Sequence, residues 1–393
     1  EEVAAIPVEE LTTVQALKKR LHSLCGVPRF RQRLLHNGVD LDEDSNLDSP
    51  MDVQLVLLSL FRESSGSLLD AVVEEDTCVV EKALHLPEDP DQSDVFWRTR
   101  PLLSACRRGA VDLVRLLLEA GADKNKTHGE GVGPLWAASS RGYADVVRVL
   151  LEAGADVDQA DDENGDDVDE GLVLLLLHAE QNCHVEVVRL LLQSSADKDC
   201  SNNKRTTPLW ISAKRGHEQV VHLLLKAGAS KNQVNRSGRG PLSAASIWHR
   251  TGVARILLTA QADAESVNHD GRTALWEASC RGYEKIVQLL LQSGASSEHA
   301  DLRGKTPLWI ASKAGRVTVV TLLLEAKAEM DRRNHNSTTP LWVAVKHRQL
   351  EVIRILAAAG ADKSLANITG KTPLQLASQL GRKQIVVLLQ DGS

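Results

Sequence analysis

A proline recurs at one fixed interval through the last three quarters of this chain, always in the same local sequence. Pro101, Pro134, Pro208, Pro241, Pro307, Pro340 and Pro373 hold the slot, and Ala274 stands in once. One step, from Pro134 to Pro208, is more than twice as long as the others. It hides a degenerate unit, because "HVEVVRLLL" (184–192) repeats "YADVVRVLL" (143–151) at a displacement of 41. An eight-residue insertion within the acidic stretch near 157–173 accounts for the excess, which makes nine units between 101 and 393. A fixed period of this length means a supersecondary unit that cannot bury its apolar face alone and must stack on its neighbours.

Each unit follows one grammar. A glycine turn ("DGRT", "RGKT", "TGKT") leads into T-P-L-W-x-A-S, then a basic-Gly pair, then E-V-V-x-L-L-L, then A-G-A-D. Proline is tolerated in a first helical turn, where its missing N–H would be unpaired anyway, and the threonine before it suits an N-cap. Glycine, as at Gly282, stops the short first helix. The second helix carries an apolar stripe, for example Ile286, Leu289, Leu290 and Leu291, too wide for a lone surface helix. Neither helix is long enough to be stable by itself.

Residues 101–393 thus resemble the ankyrin repeat family, whose T-P-L-H-x-A pattern returns with a period of about 33 residues. The resemblance implies a mainly α fold: paired antiparallel helices with a β-hairpin loop, stacked into a solenoid that binds proteins and has no catalysis of its own. Two departures stand out. Trp136, Trp210, Trp276, Trp309 and Trp342 replace the family's histidine. The asparagine usual after G-A-D-x survives only at Asn125 and Asn232, with Asp158, Asp199, Glu265, Glu298 and Asp331 elsewhere, which puts the family's loop hydrogen bonds in doubt. The tryptophans recur once per unit and form an expected ladder. Packing between neighbouring units is its favoured role; a row gripping a ligand is the alternative.

The triplets Gly304-Lys305-Thr306 and Gly370-Lys371-Thr372 look like the end of a phosphate loop. That loop needs a first glycine so that backbone N–H groups can wrap phosphates. His299 and Leu365 stand in its place, so both triplets are expected to be hairpin turns and no cofactor is implied. In "GHEQVVH" (216–222), His217 and His222 are five apart and point to different sides of a helix, so they cannot share a metal. The run "DVDQADDENGDDVDE" (156–170) fails an EF-hand at both ends, with Ala160 and Gly171 at the outer ligand positions.

The first sixty residues read differently. "TTVQALKKRLHSLCGV" is an amphipathic helix on Val14, Leu17, Leu21 and Leu24, closed by Gly26. "RQRLLHNGVDLDEDSNL" and "DVQLVLLSL" follow as strand segments. The motifs "VQALKKRL", "QRLLHNGVDLDE" and "VQLVLL" resemble ubiquitin and its relatives over about residues 1–60, beginning at the family's second strand. The resemblance implies a small α+β β-grasp domain with a binding patch at Leu35, Gln54 and Val56. No Arg-Gly-Gly end follows Leu57, so the domain is expected to be built in and never conjugated. A linker at 61–67 and an irregular, more acidic cap repeat at 68–100 complete the expected layout, since terminal solenoid units need a polar outer face.

Charge divides unevenly. Residues 1–100 carry 10 Lys+Arg against 20 Asp+Glu, whereas 101–393 carry 36 against 33. The basic residues recur in register at first-helix ends (Arg108, Arg141, Arg215, Arg281, Lys313, Lys346) and in hairpins (Arg239, Arg272, Lys305, Lys371). They are the candidate partner-binding residues, expected to be solvated and to face a protein with an acidic surface. Nucleic acid is disfavoured by the net charge of −7 and by the lack of evident exposed aromatics. The six scattered cysteines contain no C-x-x-C pair, which fits a reducing compartment, cytoplasm or nucleus. No apolar run is long enough to cross a bilayer. The expected function is a non-catalytic adaptor or scaffold. Two alternatives stay open: a ubiquitin–proteasome shuttle or ligase adaptor, and the regulatory part of an enzyme whose catalytic domain lies outside this sequence.

Overall fold

The computed structural model describes residues 13–25, 27–37, 39–43, 45, 47, 53–57, 67–84, 89–92, 99–127, 132–157, 184–194 and 196–390. The chain divides into two compact units, Glu1–Ala196 and Asp197–Ser393.

Among its described residues the first unit starts with helix α1 (Val14–Cys25), a 3-10 turn (Arg29–Arg31) and strands β1 (Gln32–His36), β2 (Val39–Asp40) and β3 (Gln54–Leu57). Thr13 caps α1, its hydroxyl accepting the Ala16 N–H at 3.2 Å. The sheet order is β2-β1-β3, with both pairings antiparallel. Side chains alternate across the sheet, so Leu34 and Leu55 join Val14, Leu17, Leu21 and Leu47 in a small core. Leu24 does not belong to that core: it is 53% exposed, and the buried stripe of α1 ends one turn earlier, at Leu21.

Arg29 ties this module to the helices beyond it. Its side chain is 3% exposed, and its guanidinium donates to Glu43 at 2.8 Å, to Glu81 at 2.9 Å and to Glu119 at 2.9 Å. Burial alone would lower its pKa; hydrogen bonds to Glu81 and Glu119 and the charge of Glu43 more than reverse this. Glu81 lies on α3 (Thr77–Leu84), which pairs with α2 (Ser67–Glu74); Glu119 ends α5 (Val111–Glu119), which pairs with α4 (Pro101–Arg108). Beside this cluster Gly121 sits so close to Pro28 that a Cβ there would meet Pro28 Cγ at 2.8 Å. All but the last residue of the expected linker lies outside the described residues. Module and stack are not merely tethered, because they share an ion cluster centred on the buried Arg29 guanidinium. The unit continues through α6 (Pro134–Arg141), α7 (Ala144–Glu152) and α8 (Val185–Gln193). The expected insertion and the start of the degenerate unit also lie outside the described residues.

The second unit is a stack of six helix pairs among its described residues: α9/α10 (Pro208–Arg215, Glu218–Lys226), α11/α12 (Pro241–Ile247, Thr251–Thr259), α13/α14 (Ala274–Arg281, Glu284–Gln292), α15/α16 (Pro307–Ala314, Val317–Glu325), α17/α18 (Pro340–Lys346, Leu350–Ala358) and α19/α20 (Pro373–Gln379, Lys383–Gln390). Thr207, Thr273, Thr306, Thr339 and Thr372 accept the N–H three residues on at 3.2–3.3 Å. Gly216, Gly282 and Gly315 close first helices in the left-handed region. Where glycine is missing, His249 and Arg348 adopt that conformation, at φ 57° and 59°. In the second helix α14, Ile286, Val287 and Leu290 are fully buried, while Leu289 and Leu291 are half-buried.

Two hydrogen-bond systems join repeat to repeat, and a third braces each hairpin. Hairpin tips pair edge to edge: the N–H of His269, Leu302, His335 and Ile368 donates to Ser237, Asp270, Arg303 and Asn336. Within each hairpin one acceptor side chain takes two N–H groups; Asn268, for instance, accepts from Asp270 and Arg272 at 2.9 and 3.0 Å. The carboxylates that replace the family asparagine make the loop bonds placed in doubt above: Asp199, Glu265, Glu298 and Asp331 accept from Ser230, Ser296, Glu329 and Asp362 at 2.7–2.9 Å, as Asn232 does from Asp263. A carboxylate oxygen accepts an N–H as well as an amide oxygen does, so the substitution keeps the bond and adds charge. Gly304 and Gly370 lie in such hairpins at φ 74°, which settles the two triplets as turns. Asn268→Ala leaves two backbone N–H groups without their acceptor at a 6%-exposed site. It is expected to cost about 1–3 kcal/mol, read as a lowered urea midpoint of the full chain.

Candidate functional site

The recurring tryptophans form a packed row in the second unit. Trp276, Trp309 and Trp342 are 4–7% exposed, and the first two pack with Ile310 and Val343. Each indole N–H donates 29 residues onward into the next hairpin: Trp276 to the Lys305 carbonyl at 3.0 Å, Trp309 to Thr338 Oγ1 at 3.1 Å, Trp342 to the Lys371 carbonyl at 3.0 Å. Trp210 and, in the first unit, Trp136 are half-buried. Packing between units, not a bare aromatic grip, is therefore the role of the three buried rings.

Cations flank the row on two sides. From the hairpins, Arg272 lies over Trp276 with Cζ 4.3 Å from the ring centre, and Lys305 Nζ is 5.0 Å from that of Trp309. From the first-helix ends, Lys346 Nζ is 5.6 Å from the Trp342 centre, and Lys214 Nζ stands 5.7 Å from Trp210 and 5.0 Å from Trp248. Each pairing adds roughly 0.5–1 kcal/mol where the cation is exposed. Tryptophan one turn from a basic residue thus does two things: the ring fills the joint, and its face holds a charge at the surface.

Glu277 departs from the pattern. Its slot is apolar in the units on either side, Ala244 and Ile310, yet it carries a carboxylate 2% exposed. Arg281 pairs with it from one turn further along α13, and Arg239 approaches from a hairpin at 3.8 Å. Arg281 and Arg239 are correspondingly half-buried, which corrects the expectation that the whole stripe is solvated. A carboxylate taken this far from water needs its charge partners.

The other candidates fall as follows. Arg215 and Lys346 are exposed and Lys313 is half-buried, all at first-helix ends of the second unit. Lys371 is exposed and donates to Gln379 at 2.8 Å. Arg108 and Arg141 belong to the first unit; both are exposed, and Arg108 pairs with Glu75 at 3.3 Å. On the N-terminal sheet Leu35 stands opposite Gln54, and Arg33 opposite Val56, so Leu35, Gln54 and Val56 share the face turned away from the small core. His217 is the N-cap of α10, and His222 is exposed on it. Among the described residues no cluster of His, Cys, Asp or Glu is arranged to hold a metal, and no helix is long and apolar enough to cross a membrane.

The field of the basic face registers on its histidines. Burial, then Arg215 and Arg250, hold His217 below the ordinary imidazole value; burial, then Lys313, Lys346 and Arg382, do so for His347. A histidine whose folded pKa is depressed contributes stability above its unfolded pKa and loses it as pH falls. The second unit is therefore expected to lose stability below about pH 6.5. His347→Gln should flatten that part of the stability–pH curve, measured by urea unfolding at each pH.

These features define a stack of paired-helix repeats. The family model for ankyrin repeats matches residues 68–161, 175–266, 255–334 and 326–393, and the chain belongs to that family. Among solved structures it is similar to the ankyrin repeat domain of Bcl-3, a unique member of the IkappaB protein family. Identity is 30% over 55% of this chain and 97% of that one, with a TM-score of 0.51. No curated protein matches the chain.

Sequence reasoning missed Arg29, Glu277 as a buried anchor, and the hairpin acceptors. The signal for Glu277 was present: an acid in a slot that is apolar in its neighbours. The signal for the acceptors was an Asn or Asp recurring at the repeat spacing, at 202, 235, 268, 301, 334 and 367.

Proposed function

We propose that the chain is a non-catalytic protein-interaction scaffold whose second unit receives an acidic protein segment across the cation-flanked tryptophan row. The observation that carries this reading is the register of cations on two sides of one row, positioned by rings that are themselves locked by packing and indole N–H bonds. A fixed row of charges speeds encounter with an acidic partner and sets its orientation more than it adds raw affinity. Charge reversal tests it. Arg215→Glu with Lys313→Glu avoids the cations that hold Glu277, so the fold is kept. The pair is expected to weaken binding of a glutamate-rich peptide about tenfold at low salt, with helix content unchanged; equal binding would reject the reading.

The N-terminal module supports a ubiquitin-like reading through one observation, the common face of Leu35, Gln54 and Val56 beside a helix and an antiparallel β1–β3 pair. In that reading the module acts as a fixed part of the first unit, held through Arg29, and not as a tethered domain searching for a partner.

A further inference from the structure

We propose that the break in the tryptophan row at Ser243 is a carboxylate-recognition point, where one Asp or Glu side chain of an acidic partner segment docks. This deepens the scaffold reading and rests on it. In the second unit the row runs Trp210, Ser243, Trp276, Trp309, Trp342 through successive repeats, so Ser243 is its one interruption between tryptophans. The repeats on either side of it carry unpaired polar atoms. Trp210, the ring before the gap, has an indole N–H that is buried and makes no hydrogen bond, although its three later counterparts all do. The residue 29 positions on from Trp210, the spacing at which those counterparts find their acceptors, is Arg239. Its Nε–H is likewise buried and unpaired, as are Ser243 Oγ and the Nε–H of Arg272. Ser243 itself is 7% exposed. Unsatisfied buried donors are rare and costly in folded proteins, at about 1–3 kcal/mol each, and here several belong to residues that the repeat register sets beside the interrupted slot.

Their chemistry selects the ligand. Three of these unpaired atoms are N–H donors and Ser243 adds a hydroxyl, so the need is for an acceptor. Glu277 Oε1 does not meet it: 3.8 Å from Arg239, it makes no hydrogen bond either. Arg239 and Arg281 pair with buried Glu277 and Arg272 with exposed Asp270 at 3.3 Å, while Lys214 lies against Trp210 and Trp248 with no acid beside it among the described residues. The small cavity that Ser243 lines adds one charge of each sign, Lys231 and Asp263. The local balance is positive, which favours an anion. Arg239 already approaches one carboxylate, that of Glu277, and the planar guanidinium fork matches a second in the same way. Trp248, 49% exposed and bridged to Trp210 by Lys214, offers an apolar flank for the partner residue beside the acid. The occupant is therefore a short acidic protein segment with an apolar neighbour next to the docking Asp or Glu.

The test uses the full chain and a short fluorescein-labelled glutamate-rich peptide carrying one leucine, followed by anisotropy at low salt. Arg239→Gln is expected to weaken binding about tenfold or more. Ser243→Trp, which closes the gap, is expected to do the same while leaving the helix content intact. Glu277→Gln removes the competing carboxylate and is expected to tighten binding severalfold, a direction that damage to packing cannot produce. Binding that is screened by salt yet unmoved by all three substitutions overturns the docking point and leaves the scaffold reading standing. Absence of any binding by the wild type at low salt overturns both. Displacement by inorganic phosphate at concentrations where free glutamate has no effect overturns the carboxylate assignment.

Discussion

Trp309→Ala is expected to cost the second unit about 3–5 kcal/mol, and to do so without unfolding the first unit. The ring is 6% exposed and packs with Trp276, Ile310 and Val343, so truncation opens a cavity between adjacent units. It also removes the indole N–H bond to Thr338 Oγ1 and the surface over which Lys305 lies. In a stacked array stability is close to a sum of unit and nearest-neighbour interface contributions, and Trp309 belongs to two interfaces at once. Urea unfolding followed by helicity should show an early transition for part of the chain. Trp309→Phe should recover most of the loss, with about 1 kcal/mol remaining for the missing N–H bond. A loss below about 1 kcal/mol for the alanine variant would mean that the row is not structural, since core truncations of this size cost several times that.

Arg29→Met is the second large effect, expected at about 2–3 kcal/mol and confined to the first unit. The substitution fills much of the volume but leaves Glu43, Glu81 and Glu119 close together with no shared cation. Breaking a fully buried ion pair by removing one partner costs about 3–5 kcal/mol; about 2–3 kcal/mol is expected here because Glu81 and Glu119 are 41% and 40% exposed and water screens them. Replacing Glu81 and Glu119 with glutamine in the same chain should restore part of the loss, because less negative charge is then left uncompensated. Lys18, almost fully buried against Glu43 at 2.9 Å, should keep the small core itself formed. Hydrogen exchange would read the result directly, as faster exchange in β1 and β3 with the second unit unchanged.

What could be read from the sequence followed its periodicity. The proline slot, the threonine caps, the glycine stops and the hairpin nature of Gly304-Lys305-Thr306 all came from local rules that hold wherever the pattern recurs. The tryptophan row was readable as packing for the same reason, since a side chain repeated once per unit faces its own copy in the next. Arg29 had no such signal: its three carboxylate partners are 14, 52 and 90 residues away, and nothing local distinguishes it from Arg31 or Arg33. The charge stripe was half readable. Register placed Arg281 beside Arg215 and Lys313, but whether it is solvated depends on Glu277, a substitution in a single unit. The doubt over the loop carboxylates came from comparing residue names where the relevant property was an acceptor oxygen, which Asp, Glu and Asn all have.

The most direct test of the account is the association rate of the full chain with the glutamate-rich peptide, measured by stopped flow across a salt series. A fixed basic face should give an association rate that falls steeply as salt rises, because exposed charges are screened beyond about 8 Å at physiological ionic strength, with dissociation much less affected. Arg215→Glu with Lys313→Glu should lower the low-salt rate and flatten the slope. Association that is insensitive to salt, or a slope unchanged by the double reversal, would contradict the claim that this face recruits the partner.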